Sequence, residues 1–292
     1  MSDPLLLRVL DPKQGPRYVL QVGETVSDVH DAIGSLSDWL ADSVGRAAGA
    51  IDDLREQAAA AETRWPRGEF ALPLLAPVDE QEVWAAGVTY EDSRKARQEE
   101  AVDGGDVYAR VYVAERPEIF FKAQAWRVIG PGGEVGIRYD ASWSVPEPEL
   151  GVVYNPAMEA VGFTVGNDMS SRDIEGANPL YLPQAKMFTA SCALGPGIAL
   201  RATEDWPDAQ IRMRIEREGG EVFRGSIHTS RIRRRIPELG DFLGRSYSLP
   251  KGAVLLTGTA IVPPPDFTLV AGDVIVIGID GIGELMNVAQ VV

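Results

Sequence analysis

Three carboxylates in two short extended runs can meet on one hard cation. Glu147 and Glu149 stand two residues apart in PEPEL, residues 146–150, and Asp168 ends the run VGFTVGND. Side chains alternate along an extended chain, so Glu147 and Glu149 share a face. The run ending at Asp168 also reads as a strand, and Asn155-Pro156 between the two is a turn signal, so they predict a hairpin. With the turn centred near Ala157 or Met158, Asp168 falls opposite Glu147 and a third oxygen arrives from the neighbouring strand. Like charges this close repel strongly unless a cation neutralises them. Ligation by oxygen alone, without His or Cys, suits Mg²⁺, with Mn²⁺ or Ca²⁺ as alternatives, better than Zn²⁺. An acidic strand edge facing water has the same spacing, and the residues by themselves leave both readings open.

The hairpin must be held by a chain of 292 residues, long enough for two domains of unequal size, with 45% hydrophobic and 24% charged residues, as in ordinary globular proteins. A net charge of −15 disfavours nucleic acid and anionic membrane surfaces as partners, since both demand a basic face. An anionic substrate then needs local cations, a metal or Arg and Lys. The single cysteine, Cys192, excludes an intrachain disulfide and a thiolate cluster and reads as a buried thiol. No run approaches the roughly 20 apolar residues of a membrane span. The leucines near the N-terminus are broken by Arg8 and Asp11, too soon for a signal peptide, so a cytoplasmic location is expected.

Periodicity predicts an α+β chain that is predominantly β. Residues 1–75 read as a small N-terminal α/β domain: a hairpin from 5–10 and 17–22, then one helix capped by Ser27 with Val29, Ile33, Leu36, Leu40, Val44, Ile51 and Leu54 on a single stripe. Residues 76–292 read as the larger domain, with strands near 83–88, 118–122, 125–129, 147–154, 161–167, 196–200, 209–215, 253–256 and 273–279. Helices are expected only near 91–101 and 236–246. The strands and helices do not alternate as in a doubly wound nucleotide-binding sheet. GPGGEVG, 130–136, reads as a turn and not as a phosphate cradle, because no helix follows it.

Taken together, ERPEIFFKA (115–123), RVIGPGG (127–133), PEPELGVVYN (146–155), VGFTVGNDMSSRDIEG (161–176), QAKMFTASCALGP (184–196) and LLTGT (255–259) resemble the fumarylacetoacetate hydrolase superfamily over about residues 83–292. The resemblance implies a mixed β-sandwich roll with a divalent metal, usually Mg²⁺, at Glu147, Glu149 and Asp168. Its members cleave, decarboxylate, isomerise or dehydrate 2-oxo and 1,3-dioxo acids through an enolate held on that metal. Hydrolytic members carry a water-activating His in the loop after a Gly-x-Asn-Tyr-like motif. Here that loop reads GVTYEDSRKARQEE, and Ser93 stands in the His position. His30 and His228 lie far from the motif, so the base for hydrolysis is missing. Glu175 also departs from the family, standing where hydrolases tend to have Gln.

The same loop, Glu118 in ERPEIFFKA, and NPLYLPQAK before CALGP are similar to a narrower branch, the 2-keto-3-deoxy-pentonate dehydratases, hydro-lyases that yield 2,5-dioxopentanoate. That branch implies Lys186 as the base for the carbon 3 proton and Glu118 as the acid for the carbon 4 hydroxyl. Arg172, Gly258, Thr259, Ser93 and Arg94 are the expected substrate-binding residues. The expected partner is a small 2-keto-3-deoxy acid, and the resemblance implies a homo-oligomer, a dimer or tetramer. Two other functions compete: C–C bond hydrolysis or decarboxylation of a 2-oxo acid on the same scaffold, and a non-catalytic, metal-stabilised binding module.

Overall fold

The computed structural model of the chain describes residues 3–90 and 105–292. Four strands open it: β1 (Leu5–Asp11), β2 (Gly15–Val22), β3 (Thr25–Asp28) and β4 (Arg64–Pro66). Helices α1 (His30–Ile33), α2 (Leu36–Asp42) and α3 (Ala47–Ala60) lie between β3 and β4. Strand β5 (Glu82–Gly87), helix α4 (Gly105–Val113) and strand β6 (Glu118–Ala123) follow. Next come β7 (Glu134–Ile137), β8 (Ser144–Val145), β9 (Pro148–Tyr154), β10 (Ala160–Asp168) and β11 (Ser170–Ser171). Two short helices, α5 (Arg172–Ala177) and α6 (Leu182–Lys186), lead to β12 (Cys192–Leu200). The chain closes with β13 (Gln210–Arg217), β14 (Gly220–His228), α7 (Ile236–Gly244), β15 (Ala253–Leu256), β16 (Val274–Ile279) and β17 (Gly283–Val291).

These strands build a 10-stranded sheet in the order β4-β3-β2-β1-β12-β10-β9-β15-β5-β6 and a 5-stranded sheet in the order β14-β13-β16-β17-β7. Pairing is antiparallel except for β15 with β5 and β17 with β7, so both sheets are mixed. Strands β9 and β10 are buried along their whole length because both of their faces are covered. Leu150, Val152, Phe163 and Val165 pack on one face against Ile211, Met213, Ile275 and Ile277 of the smaller sheet. On the other face Val153, Val161 and Val254 pack in one cluster with Leu40, Ile51 and Leu54 of the N-terminal helices. Truncating a core side chain such as Phe163 to Ala would cost about 3–5 kcal/mol. Among the described residues no helix is long and apolar enough to cross a membrane.

The N-terminal segment differs from expectation in two ways. Its helical residues form three helices, not one, and Ser27 lies in β3 instead of capping a helix. Gly34 at φ 66 and Gly45 at φ 71 turn the chain, and the Ser35 side chain accepts a bond from the Asp38 amide to restart the helix. Apolar residues spaced at three and four thus face one core from separate helices. Strand β1 also pairs with β12, Leu5 opposite Ala199, so the large sheet runs without a break across residue 75. Elsewhere 125–129, expected as a strand, begins with a 3₁₀ turn at Ala125–Arg127. The helix expected near 91–101 lies outside the described residues.

Candidate functional site

Glu147 precedes β9, Glu149 lies on it, and Asp168 ends β10. The two strands pair with Gly166 opposite Glu149 and Asn167 opposite Pro148, and the Asp168 amide donates to the Glu147 carbonyl at 3.0 Å. The turn fixes this register. Asn155 Oδ1 accepts from the amides of Ala157 at 3.0 Å and Glu159 at 3.1 Å, and Met158 takes φ 61. One oxygen from each of the three carboxylates lies within 4.8 Å of the others. Glu147, Glu149 and Asp168 are only 4%, 2% and 1% exposed, so the water-facing acidic edge is excluded.

The donor set fits a hard divalent cation. With Mg–O bonds of about 2.1 Å, oxygens of an octahedral site stand about 3.0–4.2 Å apart, so a small inward movement of these side chains suffices. Burial pushes the Glu149 carboxyl well above its ordinary value, and the negative charges of Asp168 and Glu147 add to the rise. A cation would relieve this repulsion.

Three buried cations already stand among these acids. Lys186 Nζ donates to Glu147 Oε2 at 2.9 Å, Asp168 Oδ2 at 3.1 Å and Ser170 Oγ at 2.6 Å. Lys186 sits in the last turn of α6, which Pro183 starts and a preceding turn capped by Asn178 leads in. Arg172 Nη2 lies 3.1 Å from Glu147 Oε1. Lys122, on β6, pairs with Asp168 Oδ1 and donates to the main-chain carbonyls of Met169 and Lys186. No sequence motif singles out Lys122, which falls where the β5–β6 register shifts between Phe121 and Ala123.

Lys186, Arg172 and the three carboxylates line one cavity together with Glu118, Glu175, Gly258 and Thr259, with Phe120, Leu182 and Val262 as apolar wall. Glu118 is half-buried opposite Gly87 at the β5–β6 pair, its carboxylate lying over the glycine. Gly258, at φ 86, turns the chain after β15 close to Thr89, where a Cβ would meet Thr89 Oγ1 at 2.3 Å. Its amide donates to Glu149 Oε2 at 2.7 Å, and Thr259 Oγ1 accepts from the Ile261 amide at 3.1 Å. Ser93 and Arg94 lie outside the described residues. Neither His30, stacked on Tyr18, nor His228, 3.2 Å from Asp208, lines the cavity. Cys192 is buried opposite Asp168 on β12, and desolvation pushes its thiol up to about 12, which keeps it protonated and inert.

Residues 82–291 match the family model described as fumarylacetoacetate (FAA) hydrolase, C-terminal. The "Probable 2-keto-3-deoxyxylonate dehydratase" of Haloferax volcanii is 48% identical over 212 residues, 72% of this chain and 73% of the relative. A 2-dehydro-3-deoxy-D-arabinonate dehydratase of Saccharolobus solfataricus is 43% identical over 220 residues, 74% of each chain. Among solved structures, 2-keto-3-deoxy-D-arabinonate dehydratase complexed with magnesium and 2,5-dioxopentanoate superposes with a TM-score of 0.80 at 31% identity, covering 98% of this chain and 99% of that one.

Proposed function

The chain belongs to the fumarylacetoacetate hydrolase family, and we infer that within it this protein is a Mg²⁺-dependent dehydratase of 2-keto-3-deoxy pentonates, a hydro-lyase yielding 2,5-dioxopentanoate. One observation in the structure carries this reading: a buried three-carboxylate cation site shares its cavity with an amine, Lys186, and a carboxyl group outside the site, Glu118. Dehydration needs both kinds of group, one to take a proton from carbon 3 and one to give a proton to the hydroxyl on carbon 4.

Glu147, Glu149 and Asp168 would hold the cation. When bound, it supplies Lewis-acid stabilisation of negative charge on the 2-oxo acid. Lys186 takes the carbon 3 proton from its place between Glu147, Asp168 and Ser170. Glu118 then protonates the carbon 4 hydroxyl, the C–O bond breaks, and a carbon 3–carbon 4 double bond forms as water leaves. Loss of a carbon 5 proton and reprotonation at carbon 3 gives the enol of the carbon 5 aldehyde, which tautomerises to product. Arg172 braces Glu147 and lines the cavity, where it meets an anionic substrate. Gly258 and Thr259 line the same cavity and are assigned to substrate binding with it, and Ser93 and Arg94 are assigned to substrate binding by their place in the sequence motif.

The test supplies 2-keto-3-deoxy-arabinonate and 2-keto-3-deoxy-xylonate with Mg²⁺ and follows aldehyde formation. Release of pyruvate or CO₂ in place of 2,5-dioxopentanoate would favour the hydrolase or decarboxylase reading. A Mg²⁺-stabilised protein that consumes no 2-oxo acid would favour a binding module. A cytoplasmic dimer or tetramer is proposed as its working form, checked by light scattering of the purified protein.

A further inference from the structure

Lys122 lies behind the cavity, not in it. Glu118 and Phe120 of β6 line the cavity, but the β5–β6 register shifts between Phe121, opposite Trp84, and Ala123, opposite Val83, so Lys122 falls at the irregularity, outside the cavity lining, with its side chain 0% exposed. Placing an ammonium there costs several kcal/mol of desolvation, which only a full set of partners offsets. That set is present: the ammonium donates to the Met169 carbonyl at 3.0 Å and to the Lys186 carbonyl, and forms an ion pair with Asp168 Oδ1. Those partners belong to two segments, the end of β10 and the last turn of α6. One ammonium therefore holds a cation-site carboxylate and the backbone of the cavity lysine at a fixed separation. Lys186 closes the arrangement by returning its own ammonium to the other oxygen of Asp168 at 3.1 Å and to Glu147 at 2.9 Å.

We propose that Lys122 is a positioning residue of this active site: by occupying Asp168 Oδ1 and the main chain of Lys186, it leaves Asp168 Oδ2 and the Lys186 ammonium facing the same cavity. It touches neither substrate nor solvent. The inference rests on the reading of Glu147, Glu149 and Asp168 as the cation site. Partners one layer behind a metal's ligands set ligand orientation, and losing one weakens metal binding or activity by roughly 10–100-fold.

Two variants test it, Lys122→Met, close in length, and Lys122→Gln, whose amide still donates to the two carbonyls. Folding is monitored by circular dichroism, Mn²⁺ affinity by electron paramagnetic resonance, and carbon 3 hydrogen exchange by NMR in deuterium oxide. The expected result is a folded Lys122→Gln protein that binds Mn²⁺ about 10–100-fold more weakly than wild type and exchanges the carbon 3 hydrogen more slowly at saturating metal. Folded variants that bind Mn²⁺ as tightly as wild type, or more tightly, overturn the proposal, since Lys122 would then act only as a nearby positive charge. Loss of folding in both variants overturns it too, because Lys122 then holds the fold and not the site. Wild-type protein that binds no Mn²⁺ would instead sink the cation-site reading beneath it.

Discussion

Replacing Gly87 by alanine should disable the proposed acid without touching the cation site or the fold. An ideal Cβ at residue 87 would lie 2.1 Å from Glu118 Oε2 and 2.7 Å from its carboxyl carbon. Carbon and oxygen rest near about 3.5 Å, so the carboxyl group must retreat by more than about 1 Å. The colliding atoms are the end of a flexible side chain, and Gly87 is not among the glycines at positive φ. Stability should therefore stay within about 1 kcal/mol of wild type. A misplacement of about 1 Å in a proton-transfer group costs about a hundredfold in rate, about 2.7 kcal/mol in barrier. The assay is kcat on 2-keto-3-deoxy-arabinonate at saturating Mg²⁺, run beside Mn²⁺ affinity and carbon 3 deuterium exchange. Gly87→Ala should keep metal binding and exchange but lose turnover, and adding Glu118→Gln should cost little more, because both changes remove the same group. Turnover within about threefold of wild type, or additive losses in the double variant, would refute the role given to Glu118.

Lys186→Ala should abolish carbon 3 exchange with solvent deuterium, whereas Glu118→Gln should exchange yet stall elimination, each at a cost of roughly a hundredfold or more in turnover; equal exchange in both would withdraw the assignment. Chelator should remove activity and Mg²⁺ restore it, and Glu149→Gln should lose metal affinity while melting no lower than wild type in chelator, since it removes a carboxyl that burial and two like charges disfavour. The raised Glu149 value means that the folded metal-free protein binds this proton more tightly than the unfolded chain. Stability in chelator should therefore fall as pH rises from the ordinary glutamate value of about 4.3 through the raised one, and saturating Mg²⁺ should flatten the slope; a flat melting profile in chelator would contradict this. Because the ligands must be ionised, Mg²⁺ affinity should drop on acidification, read by calorimetry at two pH values. Acylpyruvates should be poor substrates, since Ser93 stands where hydrolases of the family carry His, and rates comparable to sugar-acid dehydration would show that reading mistaken.

Much of the site could be read from the chain because it is built from short-range rules. The two-residue spacing of Glu147 and Glu149, the Asn155-Pro156 turn and the parity of β10 together place Asp168 beside Glu147, and the register confirms it. A hairpin is a local object, so its periodicity survives in sequence. Helices α5 and α6, which carry Arg172 and Lys186, escaped that reading because six and five residues are too few to show a helical period. The three N-terminal helices share one apolar periodicity in sequence because they face a common core, while the breaks depend on Gly34 and Gly45 entering positive φ. Other features had no local signature at all. The pairing of β1 with β12 joins residues 5 and 199, and the bond from the Gly258 amide to Glu149 spans 109 positions. Lys122 could be seen in sequence only as a charge in an apolar strand. That its ammonium reaches both Asp168 and the main chain of Lys186 is decided by the tertiary fold, which brings the end of β6 to the end of β10 and the last turn of α6, where desolvation leaves a buried cation no partners but those the fold supplies.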